Sequence, residues 1–292
     1  NLKAGVGGKT GPKWGFMPRA HGYLPMWGIP LFDRIQRARV MSQPIKRFGE
    51  LSSMMEWAET AAKKEGISRD EADRWSAGSQ QKACIAIDSG KFAEEIVPVS
   101  IPQAKGEPVI IDTDEPPRAG TTVEKLAKLR AVYQDGVCTA GNSSTENDGA
   151  GACVLMTEEK AKEIVISAFL KLNRFRVAGT DPTLTYPAVT ASVNKALKKA
   201  RLTIDQMDII EIQEAFATQV LADFKEMGIT EKDYDKINTN RCFSFHGHPI
   251  AATGAMRMVT LLHEMVRRDA KYGMETICGG GGLGICAIVE RK

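Results

Sequence analysis

Residues 275–290 read ETICGGGGLGICAIVE: two apolar runs of strand type, joined by Cys278, the glycines Gly279 to Gly282, Leu283 and Gly284. Glycine weakens a strand interior, so this many at one junction need a cause. One cause is close approach of the backbone to a ligand, with free N–H groups turned toward it. A thiol beside such groups can be held as a thiolate or carry a proton. A flexible hairpin turn with a bystander cysteine explains the same letters.

Working upstream, Ala255, Val259, Leu262 and Val266 are spaced by four, three and four residues, one stripe of a helix. Gly247-His248-Pro249-Ile250 leads into that helix through Ala251-Ala252-Thr253-Gly254. A histidine just ahead of a helix start suits catalysis where negative charge develops; a cap or a surface histidine is the plainer alternative. His246, two positions back, would share its side of a strand. Gln213-Glu214-Ala215-Phe216-Ala217 follows the buried-type strand MDIIEI (207–212). An amide at such a junction can orient a water or a carbonyl, although such amides are common.

The segment EAFATQVLADFKEMG (214–228) predicts a helix stopped by Gly228. Ala188 to Ala200 predicts another, with Pro187 at its start. GACVLM (151–156) reads as an apolar strand and TEEKAKEIV (157–165) as a helix capped by Thr157. Strands alternating with helices indicate an α/β layered domain. Nearer the N-terminus, Ser52 or Ser53 caps the helix MMEWAETAAKK, which Gly66 stops. Ser68 and Glu71 form a capping box for a helix ending near Gly90. Short strands are expected at 95–101 and 108–112, and a short helix at VEKLAKL. Residues 1–50 have no clean period and read as irregular loop.

Composition sets bounds on function. The chain has 292 residues, 43% hydrophobic and 26% charged, which is ordinary for a soluble globular protein. Its 39 basic and 36 acidic residues leave a net charge of +3, too balanced for a nucleic-acid binder with a strongly basic face. No apolar run reaches the ~18 residues of a membrane helix. The cysteines at 84, 138, 153, 242, 278 and 286 show neither metal-site nor disulfide-framework spacing, which suits reduced thiols in a cytoplasmic compartment, an organelle matrix being the other option. Asn1 is not a methionine, and a targeting segment would lie upstream of it.

Taken together, QEAFA, GHPIAATGAMR and CGGGGLG resemble the NEAF, GHPxGxxGxR and CxGGGxG motifs of the thiolase family in order, with His248 and Cys278 separated by 30 residues. TAGNSSTENDGAGACVLMTEE (139–159) and TTVEKLAKLRAVY (121–133) resemble further segments of that family, as do MMEWAETAAKKEGISRDEAD (54–73) and GKFAEEIVPV (90–99). The likeness covers about residues 48–292; AGVGGKTGP is only a faint echo.

The resemblance implies an α/β thiolase fold, layered αβαβα and incomplete at its N-terminus, with an inserted loop domain. Its expected parts are the end of the N-terminal domain (1–14), the loop domain (15–140), a return to the N-terminal domain (141–170) and the C-terminal domain (171–292). It implies a ping-pong Claisen reaction on acyl-CoA substrates, with coenzyme A as a substrate and no covalently bound cofactor or metal. Carried over by motif, Cys278 is the acid/base. His248 activates a nucleophilic cysteine and polarises the thioester oxygen, and the Gly280 N–H binds the negative oxygen. Gln213 stands where an asparagine usually holds an oxyanion-hole water. Ser144, Phe216, Tyr133 and Pro249 match positions along the pantetheine arm, with core packing the alternative for the two aromatics. Arg34, Arg37, Arg39, Lys46 and Arg47 are candidates for CoA phosphates, and Trp14, Phe16, Met17, Met26 and Trp27 for an acyl pocket. A solvated basic loop is the better reading of the cations, and a subunit interface or loop core explains the apolar group at least as well.

Departures cluster round the expected acyl site. They are Gln213, Arg241-Cys242 in place of two glycines, His246 in place of an aliphatic, and Tyr186-Pro187 in place of Gly-Pro. They suggest an unusual acyl group, branched, aromatic or carboxylated. The family's nucleophile is expected upstream of Asn1, on a longer chain or a further subunit, and Cys84 and Cys138 do not match it. The family implies a homodimer or homotetramer, with no nucleic acid and no membrane. The rival expectation is a non-catalytic thiolase-like subunit that binds CoA or a partner chain.

Overall fold

The computed structural model describes residues 22–23, 30–31, 45–49, 52–115, 117–164, 170–184, 186–240 and 247–291. Asn1–Leu51 and Ser52–Lys292 form two compact units. In the first, β1 (Gly22–Tyr23) pairs antiparallel with β2 (Pro30–Leu31), and α1 (Ile45–Phe48) sets the Arg47 guanidinium 4.9 Å over the Phe48 ring. Of the basic and aromatic candidates before residue 50, only Lys46 and Arg47 fall within the described residues, and both are exposed.

The second unit starts with two capped helices. Ser53 and Glu56 form a reciprocal capping box at the start of α2 (Met54–Glu65), and Gly66, at φ 61°, ends it. Ser68 and Glu71 do the same for α3 (Arg69–Asp88). Each box satisfies backbone donors that a helix start would otherwise leave unpaired. β3 (Val99–Ile101) and β4 (Val109–Ile111) form a short exposed ladder, shorter than the strands expected at 95–101 and 108–112. α4 (Val123–Ala127) and α5 (Glu158–Glu163) follow, capped by Thr122 and Thr157.

Four strands make the central sheet, in the order β5 (Leu170–Gly179), β8 (Leu283–Arg291), β7 (Tyr272–Gly279), β6 (Ile209–Ile212). β6 and β7 are parallel, while β7–β8 and β8–β5 are antiparallel. Side chains alternate across a sheet with period two. Ile210, Ile212, Met274 and Ile288 therefore meet α6 (Pro187–Ala200) and α7 (Ala217–Met227), through Val189, Val193, Val220 and Phe224. Ile209 and Val289 face the other way, onto Leu261 and Met265 of α8 (Thr253–Arg267). α2 and α3 pack in turn on α7.

Three features differ from the sequence expectations. GACVLM forms no strand; Val154 and Leu155 are 84% and 80% exposed and border an apolar groove of about 1450 Å³ along α8. An apolar run becomes a strand only where a neighbouring strand offers paired backbone groups. β5, not foreseen, is such a case. Leu170-Lys171-Leu172 and Arg174-Phe175-Arg176-Val177 each alternate, but a register shift between Leu172 and Arg174 breaks the period between them. Finally, the stripe of Ala255, Val259, Leu262 and Val266 is not the face α8 buries. Thr253, Arg257, Thr260, Leu261, Glu264 and Met265 are buried instead, because polar partners for that face wait in the sheet and beyond it.

Candidate active site

The carboxyl ends of parallel strands are where open α/β sheets bind ligands. β6 and β7 end side by side, Ile212 opposite Thr276, and the Gln213 N–H donates to the Thr276 carbonyl at 3.0 Å. The two strands thereby release Gln213 and Cys278 at one edge of the sheet. Segment 143–146 stitches further candidates to the same edge. Ser143 bridges Phe216, the Ser144 N–H donates to the Ala215 carbonyl at 2.9 Å, and the His248 N–H donates to the Thr145 carbonyl at 2.7 Å.

His248 stands ahead of α8, as its place before Thr253-Gly254 suggests. Its Nδ1 lies 2.7 Å from the Thr253 hydroxyl, which leaves Nε2 outside that contact. Burial, and then the Arg257 guanidinium, bring its pKa down to about 4, so the imidazole is neutral at pH 7. Pro249 is buried, and its carbonyl accepts from the N–H groups of Ala252 at 2.7 Å and Thr253 at 2.9 Å, closing the turn that aims the ring.

Cys278 ends β7 and, with Phe216 and Gln219 of the α7 start, Met54, Trp57 and Tyr186, lines a small cavity. Burial pushes its thiol up to about 12 and the Asp223 carboxyl adds to this, while Arg257 pulls the other way. The glycine run makes the β7–β8 turn. Gly281 and Gly282 sit at φ 86° and 77°, a region side chains disfavour. A Cβ at Gly282 would come within 2.7 Å of the Asp181 carbonyl. Gly280 needs no such conformation; a Cβ there would lie 3.5 Å from the Met54 sulfur. The Tyr133 hydroxyl lies 3.2 Å from that of Ser53, the α2 cap directly before Met54 of the Cys278 cavity. Cys278 and His248 form no hydrogen bond to one another; Phe216 links them indirectly, as a wall of the Cys278 cavity and the bridge partner of Ser143. Arg241, Cys242 and His246 lie outside the described residues.

Beneath the edge runs a buried polar network. The Arg257 Nε donates to Gln213 Oε1 at 2.9 Å, and its Nη1 to Glu211 Oε2 at 3.1 Å and Asn238 Oδ1 at 3.2 Å. All four residues are buried. Asn238, in the left-handed region at φ 45°, also receives the Ile212 N–H and donates to Glu214, which accepts from the Ser79 hydroxyl at 2.7 Å. Arg257 closes the GHPIAATGAMR motif, yet that pattern alone assigned it no role. One signal was legible: Glu211 puts a charge inside the wholly buried run IIEI, and such a charge needs a partner.

Glu275, on β7, is also buried, which raises its pKa from 4.5 to about 8 against the pull of Arg257, with Glu211 adding to the rise. The native carboxyl keeps a proton that the unfolded chain has already released. Between these values the unfolded state binds fewer protons, so stability falls as pH rises through that window. Glu275→Gln removes this loss. Its melting temperature is expected to match the wild type near about pH 5, and its stability to exceed it by about 1–3 kcal/mol near about pH 8. Thermal melts at both values check this, and an advantage independent of pH would refute it.

These strand ends, with a thiol, a neutral imidazole and an amide beside a glycine turn, define an α/β protein whose candidate site lies at the carboxyl edge of its sheet. Residues 18–159 match the family description "Thiolase, N-terminal domain" and residues 166–291 match "Thiolase, C-terminal domain". An acetyl-CoA acetyltransferase of Pseudomonas aeruginosa is 47% identical over 235 residues, which is 80% of this chain and 59% of that protein. A beta-ketoadipyl-CoA thiolase of Acinetobacter baylyi is 41% identical over 254 residues, 87% of this chain and 63% of that protein. The crystal structure of the Bacillus anthracis acetyl-CoA acetyltransferase superposes with a TM-score of 0.83 at 35% identity, over 93% of this chain and 68% of that one. Human mitochondrial 3-ketoacyl-CoA thiolase gives 0.72 at 33% identity, over 81% of this chain and 59% of that one. The chain belongs to the thiolase family. It spans about 59–63% of the length of these curated relatives.

Proposed function

We propose that the protein catalyses reversible thiolytic cleavage of a 3-ketoacyl-CoA, with His248 and Cys278 as acid/base groups and coenzyme A as acceptor. What supports this reading is a thiol and an imidazole at one carboxyl edge of the sheet, beside a glycine turn, with burial favouring the neutral form of each. In the cleavage direction a thiolate attacks the 3-keto carbon, and an oxyanion forms within reach of backbone donors such as the Gly280 N–H. Its collapse breaks the bond between the second and third carbons, releasing the acetyl-CoA enolate. Cys278 gives its proton to that enolate, and a CoA thiolate then takes the acyl group from the enzyme. Splitting the reaction at an acyl-enzyme lowers each barrier.

The attacking thiolate belongs to another cysteine. All five described cysteines are held above the ordinary thiol value, Cys138 at about 12, so none is poised as a thiolate at pH 7. Ser144, Phe216, Pro249 and Tyr133 are the proposed contacts of the pantetheine arm. Residues 141–170 act as the return to the N-terminal domain, and the working form is a homodimer or homotetramer.

Protein of natural length is assayed with CoA against acetoacetyl-CoA, a straight-chain 3-ketoacyl-CoA and beta-ketoadipyl-CoA. Turnover of at least one, with acetyl-CoA as product, is expected. The departures at Gln213 and Tyr186-Pro187 favour a substrate other than acetoacetyl-CoA. If acetoacetyl-CoA were much the best, that preference would fall; no turnover at all would remove the enzymatic reading.

A further inference from the structure

The cavity beside Cys278 measures about 10 Å³. One wall is α2, from Met54 to Ala61; the others are Tyr186, Phe216, Gln219 and Cys278 itself. That volume is close to the smallest that holds one water molecule. Two buried polar atoms on its lining residues have no hydrogen-bond partner among the described residues. They are Trp57 Nε1, which can only donate, and Gln219 Oε1, which can only accept. Gln219 gives its Nε2 to Asp223 Oδ2, one helical turn along α7, and this leaves Oε1 as the spare end of the amide. Tyr186 adds no third orphan, because its hydroxyl donates to Glu65 Oε1 at 2.9 Å. Trp57 and Gln219 are each only 4% exposed, so bulk solvent does not serve them. Buried polar atoms nearly always find partners, and two orphans round one water-sized space share an explanation. With the Cys278 thiol they make three polar groups, the usual number that a buried water contacts; a dry cavity is apolar throughout.

We infer that this space is a binding site for a single buried water, which accepts from the Trp57 indole N–H, donates to Gln219 Oε1 and contacts the Cys278 sulfur. The water accepts from the thiol while the proton is there, and turns its second hydrogen to the sulfur once the proton has left. Trp57 and Gln219 are positioning residues that act on Cys278 through it. A donor held beside a thiolate favours that charged form. The benefit to catalysis rests on the thiolase reading above; the water site itself does not.

Trp57→Phe is the direct test, because it keeps an aromatic ring on α2 and removes the donor. Crystals of the wild-type protein of natural length should show one density peak within about 3.2 Å of both Trp57 Nε1 and Gln219 Oε1. The variant should lose that peak. The S–H stretch of Cys278, isolated by subtracting the infrared spectrum of Cys278→Ala, should rise in frequency in the variant as the thiol loses its acceptor. Its kcat for thiolysis should fall by about tenfold or more while KM changes by less than about threefold. A tryptophan with a merely structural role would lower the melting temperature and leave the S–H band where it was. Gln219→Met, which removes the acceptor, should repeat these effects if the phenylalanine variant does not fold. A wild-type map with no peak at that position, or an S–H band that neither variant moves, overturns the inference and leaves the thiolase reading intact. A wild type without turnover removes that reading, and the density and the S–H band still decide the water site.

Discussion

Cys278→Ala is expected to lower thiolysis by about 10²- to 10⁴-fold, the range that positioned acid/base groups contribute. Burial and Asp223 hold the thiol near 12, so it carries its proton throughout the neutral range. On the proposed reading that proton goes to the enolate in the cleavage direction. In condensation it must first lose that proton, so the condensation rate should rise with pH more steeply than the cleavage rate. Alanine removes the proton and leaves the turn intact, because the left-handed conformations at Gly281 and Gly282 do not depend on the sulfur. The check is kcat in both directions on protein of natural length, with the melting temperature as control for folding. Activity within tenfold of the wild type would show that another group moves the proton.

The second large effect concerns stability. Arg257→Met is expected to cost about 3–5 kcal/mol, since it leaves the Glu211 carboxylate buried with its cation gone. The Glu211 and Arg257 side chains are both wholly buried, so solvent cannot replace the pair. Gln213 Oε1 and Asn238 Oδ1 lose a donor as well. At roughly 2–4 °C per kcal/mol for a unit of this size, the melting temperature should drop by about 6–20 °C. Glu211→Met combined with Arg257→Met should recover a good part of the loss, because neither charge is then stranded. Denaturant unfolding of both single variants and the double variant tests this. A cost below about 1 kcal/mol for Arg257→Met would mean that water reaches the network.

The two predictions separate roles that sit close together. On the proposed reading Cys278 meets the reacting atoms, whereas Arg257 acts through what it holds. Arg257 also lowers the pKa of His248 and opposes the rise at Cys278, so its removal disturbs both proposed acid/base groups.

The sequence by itself determined what depends on neighbours in the chain. The capping boxes at Ser53–Glu56 and Ser68–Glu71, the stops at Gly66 and Gly228, and the glycine turn after Cys278 are all built from groups a few residues apart. The ordered motifs likewise named His248, Cys278, Gln213 and Gly280 as candidates. Only the tertiary structure decided which face α8 buries, that Leu170–Gly179 is a strand while GACVLM is not, and that Arg257 reaches back 44 and 46 residues to Gln213 and Glu211. The reason is physical: a cap or a turn is satisfied locally, but strand pairing, burial and the pKa of a buried group depend on atoms that approach only when the chain has folded.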